Sequence, residues 1–197
     1  MYPQLHIIVE ASARHVHVTA EALATLFGPG AALHNVRELS QPGQFLTEEK
    51  VRVEGPRGGI DRVSILGPER PDTQVELSLS DARRLGIAPP IRESGQVAAS
   101  APCRLVGPCG AMDVPEGVIA AKRHIHITPE DAALYGLSDK EVVRVEIGGP
   151  RALIFDEVIV RESPRFRTRM HIDIDEYNAA GLSGGETGLV VKKTQAT

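Results

Sequence analysis

Short runs of alternating apolar and polar residues, separated by Gly and Pro, recur along the whole chain. Such runs predict β-strands, because alternate side chains of a strand face opposite sides. Predicted strands are 4–13, 51–57 and 63–66 in the first half, and 143–147 and 158–160 in the second. Many short strands between Gly/Pro turns favour small barrels or sandwiches over a parallel sheet with crossover helices.

Helix signals punctuate these runs. Thr19 is placed to cap a helix over 21–27, and the segment 128–131 (Thr-Pro-Glu-Asp) is a stronger helix start of the same kind. Two further short helices are predicted to end at Gly86 and Gly181. The fold class is therefore predicted to be mainly β, with short capping α-helices.

The two halves of the chain repeat one another. Residues 14–19 (RHVHVT) return as 123–128 (RHIHIT), a separation of 109 (124 − 15). A second set of five positions repeats at a separation of 95 residues. It consists of an arginine, a threonine, a metal-type ligand, a predicted helix cap and a glycine, found at 70, 73, 76, 80 and 86 and again at 165, 168, 171, 175 and 181. The first half thus has 14 extra residues (109 − 95), which we place within 29–45. We interpret 101–121 as the join of two pseudo-symmetric units.

Each copy of the first pattern contains two histidines separated by one residue. On a strand, His15 and His17 would project from the same face, as would His124 and His126. Neutral imidazole is a favoured ligand of zinc and related transition metals. A single strand histidine is more often an ordinary hydrogen-bonded residue, but the duplication favours metal binding.

The second pattern adds one more ligand to each half, because Glu76 and His171 occupy equivalent positions. Three protein ligands with an open position are typical of catalytic zinc, whereas structural zinc has four ligands, usually with Cys. Two metal sites are therefore predicted, one at His15, His17 and Glu76 and one at His124, His126 and His171.

Arg70 and Arg165 each precede the third ligand by six residues. An arginine in a loop is commonly a solvated surface charge. A guanidinium, however, binds phosphate oxygens bidentately, so one of the two is predicted to face an anion at a site. Arg14 and Arg123 alternate to the face opposite the histidines and are predicted to be structural.

Composition excludes several functions. A net charge of −4, 4% aromatic residues and no Trp among 197 residues argue against nucleic-acid binding. No apolar run approaches the roughly 20 residues of a membrane span, and the N-terminus lacks a signal-peptide layout. Cys103 and Cys109 lack CxxC spacing and are predicted to be free thiols rather than a disulfide.

Seven segments together resemble the PduL-type phosphotransacylases, the phosphate propanoyltransferases associated with propanediol-degrading bacterial microcompartments. They are SARHVHV (12–18), GQF (43–45), LGPER (66–70), TQVE (73–76), SG (94–95), GVIAAKRHIH (117–126) and MHIDIDE (170–176). The resemblance covers nearly the whole chain. Ala13 and Tyr177 depart from the Asn and Ala common in the family, and neither is a predicted ligand.

The resemblance implies two β-barrel domains with short capping helices, the N-terminal strand joining the barrel of the C-terminal half. One domain is then 14–121, with a small inserted sheet at about 28–48, and the other is 4–13 plus 122–191. It also implies two zinc ions at the domain interface, one at each predicted ligand set, with Arg70 as the active-site arginine.

The implied reaction is acyl-CoA + phosphate ⇌ acyl phosphate + CoA on short chains such as propanoyl or acetyl. We expect direct transfer, with CoA and phosphate species as the partners and neither nucleic acid nor membrane. Acyl-chain preference, a homo-oligomer and the native metal (zinc, cobalt or iron) stay open.

Two other functions stay open as well. A dinuclear zinc hydrolase of a thioester or phosphoester would hold the same metals but transfer the group to water. A non-catalytic metal-binding module would leave the paired arginines unused. Only 14 residues precede His15, and they are needed as a strand, so no encapsulation extension is expected. We therefore predict a cytosolic enzyme, or one recruited separately to a microcompartment.

Overall fold

The computed structural model describes residues 2–193, which form fourteen strands and four short helices. The strands are β1 (His6–Ser12), β2 (His15–His17), β3 (Asn35–Glu38), β4 (Phe45–Gly55), β5 (Gly58–Gly67), β6 (Gln74–Glu76), β7 (Ile91–Arg92), β8 (Ala101–Val106), β9 (Ala111–Ala121), β10 (His124–Ile127), β11 (Val142–Ile147), β12 (Leu153–Glu162), β13 (Arg169–Asp173) and β14 (Thr187–Lys192). The helices are α1 (Ala20–Phe27), α2 (Leu79–Leu85), α3 (Pro129–Tyr135) and α4 (Ile174–Ala179). Among these residues, no helix has the length and apolar character needed to cross a membrane.

The chain divides into two compact units. Unit 1 comprises the residues up to Ser12, Ser40–Pro42 and the residues from Lys122 onward. Unit 2 comprises Ala13–Leu39 and Gly43–Ala121. Each unit has its own apolar core.

Six strands close a barrel in unit 1, in the order β1-β13-β10-β12-β11-β14. The pairs β1/β13 and β10/β12 are parallel, and the other four pairs are antiparallel. In unit 2, the strand order is β9-β6-β2-β5-β4-β8, and β8 pairs with β9 to close the ring. Its parallel and antiparallel pairs follow one another in the same order as those of unit 1. The two rings match strand for strand, which confirms the prediction of two pseudo-symmetric β-barrels.

The first strand of each repeat lies in the barrel of the other repeat. β1 directly precedes β2 in sequence but pairs with β13 and β14. Likewise, β9 directly precedes β10 but pairs with β6 and β8. Interpreting 101–121 as a join was therefore wrong. Its Pro/Gly-rich part is a hairpin turn, in which the Gly107 amide donates to the Gly110 carbonyl (2.8 Å), between two barrel strands.

Helices α1 and α3 begin at their predicted threonine caps. The Thr19 hydroxyl accepts from the Ala22 amide, and the Thr128 hydroxyl accepts from the Asp131 amide. These bonds satisfy backbone donors that the first helical turn leaves unpaired. Each helix therefore starts just after a histidine strand.

Helices α2 and α4 begin two residues earlier than predicted. Their caps are Ser78 and Asp173, whereas the repeat indicates Ser80 and Asp175. Asp173 is itself expected from the sequence to cap a helix or to orient a ligand, and its capping role is confirmed. A cap is the last extended residue before the helix, and the ligand strands β6 and β13 end sooner than the sequence pattern indicated. Gly86 ends α2 in the left-handed conformation (φ 75°), as a C-terminal glycine should.

The extra residues of the first half form β3 and the loop that follows it. All of β3 is exposed, and it pairs antiparallel with the start of β4. The loop residues Ser40–Pro42 belong to unit 1, although the flanking residues belong to unit 2. The insert thus contributes side chains to unit 1.

The residue between the paired histidines is a core residue in both units. Val16 and Ile125 are both 0% exposed. We expect Ile125→Ala to destabilise the protein by about 2–5 kcal/mol, because the lost methylene groups leave a cavity. Urea unfolding would measure this, with Leu134→Ala, at a site 53% exposed, as the control. Equal unfolding midpoints for the two variants would contradict the expectation.

Candidate metal centres

The strand register places the third predicted ligand of each repeat across from the first histidine. In unit 2, His15 on β2 lies opposite Glu76 on β6. In unit 1, His124 on β10 lies opposite His171 on β13. Side chains directly opposite one another on antiparallel strands have Cβ atoms about 4.5–5.5 Å apart. Each barrel therefore brings its distant third ligand to the histidine pair.

The three predicted ligands of unit 2 form a compact buried group. His15, His17 and Glu76 are 6%, 2% and 7% exposed, and their candidate ligand atoms all lie within 4.8 Å of one another. His15 Nε2 is 3.6 Å from Glu76 Oε2. Two imidazoles and a carboxylate at this separation match the donor set of a three-ligand zinc site.

Backbone carbonyls orient the imidazoles of this group. His15 Nδ1 is 2.8 Å from the Ala13 carbonyl oxygen, and His17 Nδ1 is 3.2 Å from that of Leu66. Because a carbonyl only accepts, each Nδ1 carries a proton, so Nε2 is the ring nitrogen that would bind a metal. Such an outer partner fixes the tautomer of a metal-binding histidine.

Burial and neighbouring charges set the protonation of the group. Burial, with the charges of His15 and Arg70, lowers the pKa of His17 to about 3, so His17 is neutral at physiological pH. Burial alone would raise the pKa of Glu76, but His15 outweighs it and holds that pKa well below its usual range. A neutral imidazole beside an ionised carboxylate is the protonation state that a divalent cation requires.

The three imidazoles of unit 1 are also brought together. Ring centroids of His124 and His126 lie 4.6 Å apart, and those of His171 lie 5.3 and 5.0 Å from them. His124 Nδ1 is 2.8 Å from the Lys122 carbonyl oxygen, which repeats the arrangement at His15. Within residues 2–193, the unit 2 group is the one whose ligand atoms have the spacing of a possible metal site, while in unit 1 the contacts between the rings show the trio assembled.

Arg70 is tied to the unit 2 ligands. Its Nη1 donates to Ser94 Oγ (3.1 Å), which also accepts from Gln74 Nε2 (2.9 Å). The same Gln74 nitrogen donates to Glu76 Oε1 (2.7 Å). Arg70 is therefore connected to a ligand carboxylate through two intermediate side chains.

The other arginines differ in their surroundings. Arg165, the repeat equivalent of Arg70, is exposed. Arg14 forms an ion pair with Asp81 on α2 (2.8 Å), and Arg123 forms one with Glu176 on α4. Arg14 and Arg123 thus have the structural role predicted for them, since each joins a histidine strand to a capping helix.

Sequence reasoning assigned no role to several residues that contact the ligands. Gln74 and Ser94 lie in segments that carried the family resemblance, yet only the fold shows that they meet Arg70. Gln41 was missed as well, and its Nε2 lies 3.3 Å from His171 Nε2. The one local signal was the position of Gln74, a side-chain amide two residues before the ligand Glu76 and therefore on the same face of the strand.

A family model described as phosphate propanoyltransferase matches residues 8–183. That span includes all six predicted ligands and Arg70. The chain belongs to the phosphate propanoyltransferase family. The predicted family and the predicted enzyme class, phosphate acyltransferase, are thereby confirmed.

Relatives named phosphate propanoyltransferase align over most of the chain. The protein from Enterococcus faecalis (strain ATCC 700802 / V583) is 50% identical over 184 residues, which covers 93% of this chain and 87% of that protein. The Listeria monocytogenes serovar 1/2a (strain EGD-e) protein is 50% identical over 188 residues, covering 95% and 88%. The Thermotoga maritima (strain MSB8) protein is 48% identical over 187 residues, covering 94% and 89%.

Proposed function

We propose that this phosphate propanoyltransferase family member catalyses acyl-CoA + phosphate ⇌ acyl phosphate + CoA, with propanoyl or acetyl as the acyl group and one zinc ion in each unit. The observation that carries the proposal is the buried His15–His17–Glu76 group joined to Arg70. This reaction needs a metal site and, close to it, a positively charged side chain that binds phosphate, which here is Arg70. The names of the relatives support the substrate class.

The residues present fit zinc. Imidazole nitrogens and an ionised carboxylate suit Zn²⁺, and cobalt or iron would accept the same donors. His15, His17 and Glu76 would hold one ion, and His124, His126 and His171 the other. Bound zinc would supply Lewis-acid chemistry, stabilising the CoA sulfur as a thiolate and polarising phosphate oxygens.

Arg70 has the charge and the anchoring for phosphate. Its guanidinium can bind two phosphate oxygens at once, and its bond to Ser94 restricts where it points. The same charge would stabilise the negative charge that grows on the acyl oxygen during transfer. We therefore assign Arg70 to phosphate binding and to transition-state stabilisation.

Direct transfer fits the chain better than a covalent acyl-enzyme. In direct transfer a phosphate oxygen attacks the acyl carbon, the carbon–sulfur bond breaks, and the sulfur leaves with the bonding electrons. Of the two cysteines, both free thiols as predicted, Cys103 is buried, and burial raises its pKa to about 12. Such a thiol is a poor nucleophile at neutral pH, because the thiolate is the reactive form.

Thiol release from propanoyl-CoA and acetyl-CoA, measured with and without phosphate, tests the proposal. We expect release to require phosphate and to stop when the metal is removed by a chelator. Release that proceeds equally without phosphate would favour a zinc hydrolase instead. No release under any condition, with metal bound, would favour a non-catalytic metal-binding module.

The cellular location stays a prediction. We propose that the enzyme works in the cytosol. Co-purification with shell proteins, repeated after removal of the residues before β1, measures this. Binding that disappears with those residues would contradict the proposal.

A further inference from the structure

The third ligand of each unit pairs with a residue on a neighbouring parallel strand, and that residue is of a different kind in the two units. In unit 1, β1 runs parallel to β13 and places Glu10 in register with His171. In unit 2, the equivalent strands place Ile119, which is fully buried, in register with Glu76. Where the ligand is a carboxylate its neighbour is apolar, and where the ligand is an imidazole its neighbour is a carboxylate.

The insert defines which nitrogen of His171 carries the proton. Gln41, which is 4% exposed, pairs both ways with the Arg167 backbone: Oε1 accepts from the amide (3.1 Å) and Nε2 donates to the carbonyl (3.0 Å). If the side-chain amide of Gln41 were turned by 180°, its NH₂ group would face the N–H of Arg167, and two donors would meet. Gln41 Nε2 therefore presents its second N–H to His171 Nε2, 3.3 Å away. His171 Nε2 accepts, so its Nδ1 is the protonated nitrogen.

That protonated nitrogen faces Glu10. Glu10 Oε2 lies 3.9 Å from His171 Nδ1 and accepts from Ser40 Oγ at 2.5 Å. Glu10 Oε1 lies 3.3 Å from Arg169 Nε. The carboxylate is thus held from two sides, one of them the insert, while it faces the ring.

We infer that Glu10, anchored by Ser40, is a positioning residue of the unit 1 metal centre. Its carboxylate keeps the proton on His171 Nδ1, so that Nε2 presents a lone pair to the metal. A carboxylate partner also raises the basicity of a metal-binding imidazole. The 14 extra residues then have a purpose, since they bring Ser40 to the carboxylate that faces His171. The inference rests on the proposed metal in unit 1.

Metal affinity measured against a chromophoric chelator tests it, with zinc titrated into the stripped full-length protein. We expect Glu10→Ala to weaken one of the two metal equivalents by about 10–100-fold, as for other outer partners. The other equivalent keeps its wild-type affinity. Glu10→Gln recovers part of the loss, because its amide oxygen still places a partial negative charge near Nδ1–H. Ser40→Ala causes a smaller loss, about five-fold, since it removes one of the two groups that hold the Glu10 carboxylate and leaves Arg169 in place.

The matched control is Asn35→Ala in the same insert. It removes an exposed side-chain amide whose hydrogen-bond partner is Glu38. It should leave both equivalents unchanged. Imidazole ¹⁵N spectra give a second readout: His171 should be protonated at Nδ1 in the wild type and should become a tautomer mixture in Glu10→Ala. A merely structural role for Glu10 would not alter the tautomer.

Unchanged metal affinity and an unchanged His171 tautomer in Glu10→Ala would overturn the inference. Equal weakening of both metal equivalents in that variant would do the same, and so would a wild-type chain that binds a single metal equivalent. The proposed function fails differently. A chain that binds two metals but shows no phosphate-dependent acyl transfer would refute the activity, while the affinity and tautomer results would still decide the role of Glu10.

Discussion

Arg70→Ala will keep its bound metal and lose nearly all phosphate-dependent acyl transfer. The guanidinium bonds to Ser94 and is not a predicted ligand, so its removal should leave the His15–His17–Glu76 group assembled. It does remove the charge that we assign to phosphate and to the developing oxyanion. Loss of one such group typically lowers kcat by about 10²–10³-fold. Steady-state thiol release and elemental analysis of the same preparation measure both effects.

Arg84→Ala is the control, because it removes an exposed arginine from α2 in the same unit. It should retain wild-type turnover. A wild-type rate in Arg70→Ala would refute the assigned role. Loss of metal in Arg70→Ala would show that the arginine supports the ligand group rather than the substrate.

Glu76→Ala should lose one metal equivalent per chain and most of the activity. The carboxylate is buried, lies 3.6 Å from His15 Nε2 and supplies the one negative charge of its ligand group. Losing a ligand should reduce metal affinity by more than the 10–100-fold that is typical of losing an outer partner. Zinc content after gel filtration and residual turnover are the measurements.

Glu69→Ala provides the comparison, since Glu69 is an exposed carboxylate beside Arg70. It should keep both metals and full activity. Full metal content in Glu76→Ala would mean that Glu76 is an ordinary buried carboxylate paired with His15, and the predicted ligand set of unit 2 would be wrong.

Internal repetition made much of the architecture predictable. The two HxH segments and the matched positions 76 and 171 identified equivalent strands before any fold was known. Their direct cross-strand pairing, His15 with Glu76 and His124 with His171, was not predictable, because it depends on register between strands 61 and 47 residues apart. Repetition identifies equivalent residues, but only the barrels bring them into contact.

The misses have a common cause, which is long-range placement. Gln41 reaches His171 from an insert, and Glu10 reaches it from a strand exchanged between repeats, while Ser40 in the insert holds Glu10. None of these arrangements leaves a periodic signal. Residues 101–121 were misread because a Pro/Gly-rich hairpin turn has the same composition as a linker. Ser78 and Asp173 displaced the predicted caps because alternation does not locate the last residue of a strand.

The metal content of the purified protein tests the central claim most directly. Elemental mass spectrometry should find two zinc ions, or two other divalent transition-metal ions, per chain. Chelation should remove them together with acyl transfer, and added zinc should restore both. A chain that carries no transition metal and still transfers acyl groups to phosphate at full rate would contradict the account.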